Sequence, residues 1–531
     1  MGNGAQNWGS GEAIQELPSR EGHRTPVVRS ISTASLLFGI LAIATLLRVV
    51  LLGDKGFGLD EIASTRFARL DWESFLQLVA TGEVNMAFYY VLLGVWRLAG
   101  ENEVVIRSLS VAAGVATIPV LYLLGRRLYG PGVGLLAAFL ISINSYHIQF
   151  SQFARSYSLL VFLATLSSLL FVNCVERPCW RNWLGYLVVS ILGVYSHLFA
   201  AFVLLAQWVS LAFLRLRDIP WRGWLISVLC MVLLLLPLGV IAMLLAPRWG
   251  LWIPTPKLRD IPGVYYELTG ERGGRTGMLL MLFYCLACVI ALLDARRGRV
   301  FSGTLRPLWR YGFLLTWLFL PVLAAFAVSQ LKSIFFTHYM IICLPPLMLL
   351  AAVGLDAMPK RALIGCLFIV TLLSSHQIYK YYVDFNGRED FRGATRYILS
   401  HARAEDAVLF FAPYIQGSFE YYRERFEGAS KLPPFTILSM DTRVVQDWKR
   451  LRASVRDEPA HLVPSWTDLP PNYHRVWLML SHDWDTKPGS YVVSRSIQAS
   501  MARNYCSVAE ERFTDVRVLL FDTPRVSGGC R

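Results

Sequence analysis

The sequence predicts a multi-pass α-helical membrane protein with about eleven transmembrane helices and a C-terminal extracytoplasmic α/β domain. Three observations support this fold class. Of the 531 residues 55% are hydrophobic, only 17% are charged, and apolar runs of membrane-spanning length stop near residue 376. A soluble globular chain carries about 25% charged residues. The composition therefore excludes an ordinary soluble enzyme and makes membrane lipids the first expected partner.

The formal net charge of +14 favours a membrane orientation signal over a nucleic-acid-binding surface. Residues 377–531 contain 21 basic and 19 acidic residues, so most of the positive excess lies in the hydrophobic part of the chain. A nucleic-acid-binding domain would concentrate its basic residues on one soluble face. We therefore expect no nucleic-acid partner.

The polar N-terminal segment 1–33 is predicted to be a cytoplasmic tail without a cleavable signal peptide. The region 34–376 is predicted to be the transmembrane domain, because its apolar runs have the length that crosses a hydrocarbon layer about 30 Å thick. The runs are 34–52, 107–124, 132–149, 157–174, 183–197, 199–214, 224–246, 277–293, 311–328, 340–357 and 362–376.

Basic residues in the short loops set the predicted orientation, because such loops stay cytoplasmic. A cytoplasmic N-terminus places most of these residues inside, among them Arg126 and Arg127. The loop 53–106 then lies outside. Its apolar stretch 86–98 is predicted to be a helix in the membrane interface, because a further span there would invert every later loop.

An odd number of spans places residues 377–531, the C-terminal domain, outside the cytoplasm. Its β-rich runs are 407–411, 435–440, 475–481 and 516–522, and helical composition occurs at 391–402 and 497–503. Cys506 and Cys530 are the cysteines of this domain, and the sequence leaves open whether they form a disulfide.

Asp60 and Glu61 directly follow the first apolar run. Two adjacent carboxylates at a membrane exit are costly unless they are hydrated or used. One interpretation is an exposed helix N-terminus, where acids are favoured. The other is catalysis, in which a carboxylate accepts a proton.

Basic and aromatic residues occur at the outer ends of later spans. Arg155 can pair with a phosphate at headgroup depth or can reach toward lipid phosphate as an anchor. Lys332, His338 and Tyr339 form a second cluster, which fits either an interfacial anchor or a ligand site. His147 and His197 are interpreted as interhelical histidines rather than metal ligands, and no structural zinc site is predicted.

These polar residues come from distant segments, yet the predicted topology places Asp60, Glu61, Arg155, Lys332 and His338 on one side of the membrane. Acidic and basic groups that meet near lipid headgroups suggest a site for a phosphorylated amphiphile.

Several motifs occur in a characteristic order between about residues 35 and 400. They are Leu59-Asp60-Glu61, Phe88-Tyr89-Tyr90, Glu103 to Leu109, Tyr122 to Leu128, Gln152 to Leu160, Tyr195-Ser196-His197 and Glu389-Asp390-Phe391-Arg392. In these motifs the chain resembles the GT-C membrane glycosyltransferases of the protein O-mannosyltransferase and aminoarabinose transferase type, which are similar to glycosyltransferase family 39. Asn85-Met86-Ala87 departs from the family's His-Pro-Pro.

The resemblance implies a GT-C fold and transfer of a sugar from a polyprenyl-phosphate donor to a lipid, glycan or protein on the extracytoplasmic face. It implies Asp60 as the catalytic base and Arg155 as the ligand of the donor phosphate. We expect Glu61 to act beside Asp60, and Lys332 and His338 beside Arg155. The expected substrate-binding residues are Tyr89, Tyr90, Tyr157, His197 and Tyr339. A single base implies inversion at C1, and a divalent cation is left open.

Two other functions fit parts of the pattern. A transporter or flippase of lipid-linked saccharides would use the same basic residues, and a scaffold could simply display the C-terminal domain. Transporters place ionisable residues near mid-membrane and contain repeats, whereas here these residues gather at the ends of spans. Sugar transfer is therefore the favoured function. The sugar and the acceptor are not encoded in any motif.

Overall fold

The computed structural model describes most of the hydrophobic region and parts of the C-terminal domain. The structure describes residues 32–81, 83–245, 253–270, 274–297, 306–383, 389–403, 406–411, 415–426, 436–438, 473–481, 498–499, 501–502 and 505–524.

Within the described residues, sixteen α-helices form the hydrophobic region, and each predicted apolar run coincides with a helix or a pair of helices. They are α1 Thr33–Val49, α2 Leu59–Phe67, α3 Trp72–Thr81, α4 Ala87–Trp96, α5 Glu103–Tyr129, α6 Pro131–Ser142, α7 Ser145–Ser151, α8 Tyr157–Glu176, α9 Trp180–Ser196, α10 Ala200–Ser210, α11 Trp221–Leu245, α12 Ile261–Leu268, α13 Arg275–Arg296, α14 Pro307–Ser329, α15 Leu344–Asp356 and α16 Lys360–Val383. Short 3-10 helices lie at Arg97–Ala99, Leu211–Phe213, Leu216–Asp218, Leu258–Asp260 and Thr337–Cys343.

Seven of the described helices are long and apolar enough to cross a membrane: α5, α8, α11, α13, α14, α16 and the unit Thr337–Asp356. Counting α6 and α7 as one span bent by 64° gives an eighth. The predicted multi-pass helical fold class is confirmed. The count of eleven spans stays a prediction, because α1 and α9 have 17 residues and α10 has 11.

The break between α6 and α7 is stabilised by Arg48 of α1, whose side chain is completely buried. A helix that ends inside a membrane leaves carbonyl groups without donors, and these must be satisfied internally. Arg48 donates to the carbonyl oxygens of Ile141 and Ser142 at 3.2 and 3.0 Å and to Nδ1 of His147 at 2.7 Å. His147 is therefore the interhelical histidine that the sequence predicts.

The stretch 86–98, predicted as an interfacial helix, forms α4 and the 3-10 turn after it. The helix begins after Met86, which has a left-handed φ of 73° and is buried. Tyr89, Tyr90 and Leu93 are buried, while Val95 is 66% exposed. One face of α4 therefore packs against the bundle, and its position in the membrane interface stays a prediction.

The C-terminal domain contains helices α17 Phe391–His401 and α18 Gln416–Arg423 and a five-stranded sheet. The strands are β1 Ala407–Phe411, β2 Thr436–Leu438, β3 Arg475–Ser481, β4 Tyr505–Phe513 and β5 Val516–Pro524, in the order β2-β1-β3-β5-β4. β1 pairs in parallel with β2 and β3, and β5 pairs antiparallel with β3 and β4. Parallel and antiparallel strands therefore share one sheet, joined at β3.

The four predicted strands and the helix at 391–402 are present within a few residues, whereas β4 was not predicted. Strand β4 lies at the sheet edge, and its charged side chains face away from the core, so it lacks the apolar pattern of a strand. The predicted helix 497–503 lies partly outside the described residues. Cys506 is disulfide-bonded, and Cys530 lies outside the described residues.

Arg48→Met should destabilise the protein, because the carbonyl groups of Ile141 and Ser142 lose their donor. A buried acceptor left unsatisfied costs about 1 to 3 kcal/mol. The measurement is the melting temperature of the purified protein in detergent. Arg361→Met, at an exposed position of α16, is the matched control and should melt as the wild type does. Equal melting of both variants would contradict this role of Arg48.

Candidate functional site

Helix α2 presents its two adjacent acids in opposite ways. Its N-cap is Gly58, in an extended conformation, and Glu61 closes the first turn by accepting from the Gly58 N–H at 3.2 Å. Successive helix residues are about 100° apart. The Asp60 side chain is therefore 57% exposed, while that of Glu61 is 0% exposed. Asp60 lies in the first turn, where the helix dipole favours a negative charge.

A buried ion pair joins α2 to α5. Nε and Nη2 of Arg107 donate to the two carboxylate oxygens of Glu61, each at 2.8 Å. Arg107 also donates to the carbonyl oxygens of Leu52, Lys55 and Gly56, each at 2.8 Å. One guanidinium therefore holds both the helix and the loop that leads into it.

Glu61 also reaches the segment that carries Arg155. Its Oε1 accepts from the Ala154 N–H at 2.9 Å. The next residue, Arg155, places Nη2 4.0 Å from Oδ1 of Asp60. Since Glu61 and Ala154 are the direct neighbours of Asp60 and Arg155, their contact sets the separation of the exposed carboxylate and the guanidinium.

Arg155 is 11% exposed and lies among tyrosines of α4. Its Nη1 donates to the hydroxyl of Tyr90 at 3.2 Å. Its backbone carbonyl accepts from Ser110, whose hydroxyl in turn accepts from Tyr89. The buried Nε of Arg155 has no hydrogen-bond partner within the described part of the chain. The guanidinium is thus held in place while it keeps donor capacity.

Aromatic side chains from three segments pack beside Arg155. Tyr157 stacks on Tyr339 with ring centroids 6.2 Å apart, and His338 lies 6.5 Å from Tyr157. His197 contacts Tyr339 at 4.7 Å and Tyr157 at 6.0 Å. His338 and Tyr339 are half-buried, whereas Tyr157 and His197 are buried. The first two are therefore the more accessible members of this aromatic cluster.

The structure brings most of the predicted site residues together. Asp60 lies beside Arg155, Arg155 contacts Tyr90, and the aromatic cluster includes Tyr157, two positions after Arg155. Glu61 and Tyr89 are fully buried. Lys332 is half-buried in the segment after α14, where its neighbour Ser333 donates to the carbonyl of Pro254. A direct role of Lys332 at the phosphate stays a prediction.

Glu83 is a site residue that the sequence did not indicate. It precedes α4, is half-buried and lies within electrostatic range of Arg155 and Asp60. Burial raises the pKa of Glu83 above its ordinary value, Arg155 opposes the rise and Asp60 adds to it. A single acid in a loop has no periodicity or spacing that would single it out, so only the fold reveals it.

Asn85 also joins the site, at the position where the chain departs from the family's His-Pro-Pro. Its Oδ1 accepts from the Leu198 N–H at 3.0 Å, and its Nδ2 lies 3.4 Å from Nε2 of His197. The amide thus connects the loop before α4 with the segment between α9 and α10.

Within the described ranges, no three His, Cys, Asp or Glu residues are grouped so that they could hold a metal ion.

Comparison with known proteins identifies the type of fold. Residues 84–246 match the family model described as dolichyl-phosphate-mannose-protein mannosyltransferase. No curated protein sequence matches the chain at a significant level.

Three of the matching solved structures, of two different proteins, each cover 92% of this chain. ArnT from Cupriavidus metallidurans, in the apo state, is 14% identical and has a TM-score of 0.55 over 92% of this chain and 98% of that one. Bound to undecaprenyl phosphate, ArnT has a TM-score of 0.51 at 12% identity over the same shares. AglB from Archaeoglobus fulgidus, in complex with an inhibitory peptide and a dolichol-phosphate, has a TM-score of 0.52 at 12% identity over 92% and 74%. The resemblance to GT-C glycosyltransferases of the ArnT and protein O-mannosyltransferase type is confirmed.

Substitution of Glu61 should lower the free energy of unfolding, whereas substitution of the adjacent Asp60 should not. Glu61→Gln leaves Arg107 buried without a counter-charge, which costs about 3 to 5 kcal/mol when one partner of a buried pair is removed. Asp60→Asn changes an exposed side chain, and its free energy of unfolding should stay within about 0.5 kcal/mol of the wild-type value. Thermal unfolding in detergent measures both. Equal melting of the two variants would show that the Glu61–Arg107 pair does not stabilise the fold.

Proposed function

We propose that this chain is a membrane glycosyltransferase that moves a sugar from a polyprenyl-phosphate donor to a hydroxyl or amine of a lipid, glycan or protein acceptor. The observation that carries the proposal is the exposed carboxylate of Asp60 at 4.0 Å from the guanidinium of Arg155. The match to the mannosyltransferase family model and the fold shared with ArnT and AglB support it.

Asp60 acts as the general base. An acceptor hydroxyl is a weak nucleophile at neutral pH, so a carboxylate within hydrogen-bond reach takes its proton as the bond to C1 forms. The bond between C1 and the phosphate oxygen breaks, and its electron pair leaves with the polyprenyl phosphate. One displacement of this kind inverts the configuration at C1. Asp60 suits the role because its side chain is exposed at a rigid helix N-terminus.

Arg155 binds the donor phosphate and stabilises the charge that develops on the leaving group. A fixed cation that is partly shielded from water stabilises such charge more than a solvated one. Arg155 is nearly buried, is held by Tyr90, and has donor capacity on Nη2 and Nε. Lys332 and His338 assist at the phosphate in this proposal.

The remaining predicted residues take supporting roles. Burial and four hydrogen bonds favour a positioning role for Glu61 over direct catalysis. Tyr89 and Tyr90 hold Arg155, directly or through Ser110. Tyr339 faces the donor in this proposal, and the buried Tyr157 and His197 pack behind it.

The site faces the extracytoplasmic side in this proposal, with the N-terminus in the cytoplasm. The basic residues of the short loops support this orientation. The disulfide of Cys506 supports it independently, because structural disulfides persist in oxidising compartments.

Asp60→Asn should lower the transfer rate by about 10² to 10⁴-fold, the usual contribution of a general base. Arg155→Ala should lower it by about 10² to 10³-fold, as loss of a transition-state donor does. The measurement is release of polyprenyl phosphate from a panel of polyprenyl-phosphate sugars by the purified protein in proteoliposomes.

Glu73→Gln and Arg259→Ala change exposed charges outside the site and serve as matched controls. Near wild-type transfer by Asp60→Asn would remove the base assignment. Movement of the intact donor across the bilayer without release of polyprenyl phosphate would instead identify a flippase.

Glu83→Gln should tighten the binding of free polyprenyl phosphate by about three- to tenfold. The substitution removes roughly 1 kcal/mol of repulsion between the Glu83 carboxylate and a phosphate bound to Arg155. The gap between variant and wild type should close as the pH falls through the raised pKa of Glu83, since the wild-type carboxyl then becomes neutral. Equilibrium binding to the purified protein at several pH values measures this. Weaker binding by the variant would contradict a repulsive role.

A further inference from the structure

The C-terminal domain holds the loop 53–59 that leads into α2 and Asp60. Tyr422 of α18 is 2% exposed, and its hydroxyl accepts from the Phe57 N–H at 2.5 Å. The same hydroxyl donates to Oε1 of Glu103 at 3.2 Å. Burial raises the pKa of Tyr422, so the hydroxyl keeps the proton that it donates.

Glu389 closes the first turn of α2 from outside. The N-cap Gly58 has no side chain that could accept a hydrogen bond, and the first N–H groups of a helix have no partner within it. Oε2 of Glu389 accepts from the Leu59 N–H at 3.3 Å, although 330 positions separate the two residues. The carboxylate also lies where the helix dipole favours a negative charge. The turn that contains Asp60 is therefore capped by the C-terminal domain.

Arg392 extends the contact along the loop. It donates to the carbonyl oxygens of Gly53 and Asp54 and lies 3.4 Å from Oε1 of Glu103. Together with Tyr422 and Glu389 it satisfies backbone groups of the loop from its start to the first helical residue. A loop with its backbone bonded in this way has few alternative conformations.

A second contact holds the other end of α2. Nη2 of Arg425 lies 3.3 Å from Glu101, and its guanidinium lies 3.5 Å above the ring of Tyr421. Glu101 also pairs with Arg69, which follows α2 and lies 5.7 Å from the same ring. The C-terminal domain therefore contacts both ends of the helix that carries Asp60.

We infer that Glu389 and Tyr422 are positioning residues, through which the C-terminal domain sets the orientation of the Asp60 carboxylate. Neither side chain touches Arg155, which is bonded by Ser110 and Tyr90 and follows Ala154, whose N–H is bonded by Glu61. Loss of either side chain should thus disturb the loop before α2 and the Asp60 turn, while the contacts of Arg155 remain. The inference rests on the proposed function, because it assigns these residues to the reaction of the Asp60 site.

The test uses kcat and KM of the full-length protein. Glu389→Ala and Tyr422→Phe should each lower kcat by about ten- to a hundredfold, since small displacements of a catalytic group cost rate. KM for the donor should change by less than about twofold, because the contacts of Arg155 remain. Glu389→Gln keeps an oxygen that accepts from Leu59 and should restore most of kcat. Glu424→Ala and Tyr397→Phe alter the same domain away from the loop and are the matched controls.

Hydrogen exchange on the same proteins gives a readout that does not depend on activity. The amides of Phe57 and Leu59 should exchange slowly in the wild type and in both controls. The Phe57 amide should exchange at least about tenfold faster in Tyr422→Phe, and the Leu59 amide should do so in Glu389→Ala. Each amide loses its hydrogen-bond acceptor in that variant. Exchange around Arg155 should not change, which distinguishes a local effect from unfolding.

A lower kcat together with faster local exchange supports the inference. A lower kcat with unchanged exchange, faster exchange with unchanged kcat, or variants that behave as the controls would each overturn it. Absence of transfer by the wild type with every donor would instead remove the proposed function.

Discussion

The buried ion pair between Glu61 and Arg107 is the interaction on which the site depends. Both side chains are almost fully buried, and the pair persists because further hydrogen bonds satisfy the remaining oxygens and N–H groups. Through it, α2, α5, the loop before α2 and the segment before Arg155 form one rigid unit. The neighbour of Glu61 on the exposed side of the helix, Asp60, is consequently fixed opposite Arg155.

Interruptions of helices provide the functional geometry in this fold. The break between α6 and α7 directs the chain toward the segment that carries Arg155, and Arg48 satisfies the carbonyl groups that the break exposes. Non-helical backbone is tolerated at such depth only where protein groups replace water as partners. The buried arginines Arg48 and Arg107 thus support the backbone, whereas Arg155 keeps donor capacity beside an exposed acid.

Hydropathy and charge predicted the long apolar helices and the fold class, because burial of apolar surface dominates those features, whereas the short helices α3 and α12 were not predicted. The predicted topology placed Asp60 and Arg155 on one side of the membrane. The different environments of Asp60 and Glu61 could not be predicted, since they depend on where Arg107 lies in space. Glu83 and the cap from Glu389 depend on tertiary contacts across loops, which no periodicity reports. Strand β4 was missed because its exposed, charged edge position removes the apolar pattern.

The proposed reaction requires one site that holds the donor phosphate on Arg155 and the acceptor proton on Asp60. A structure of the protein with bound polyprenyl phosphate tests it most directly. We predict a phosphate oxygen within about 3 Å of Nη2 or Nε of Arg155, the usual hydrogen-bond distance, with the Asp60 carboxylate facing the same space. A phosphate bound at the opposite end of the bundle, or away from Arg155, would contradict the account.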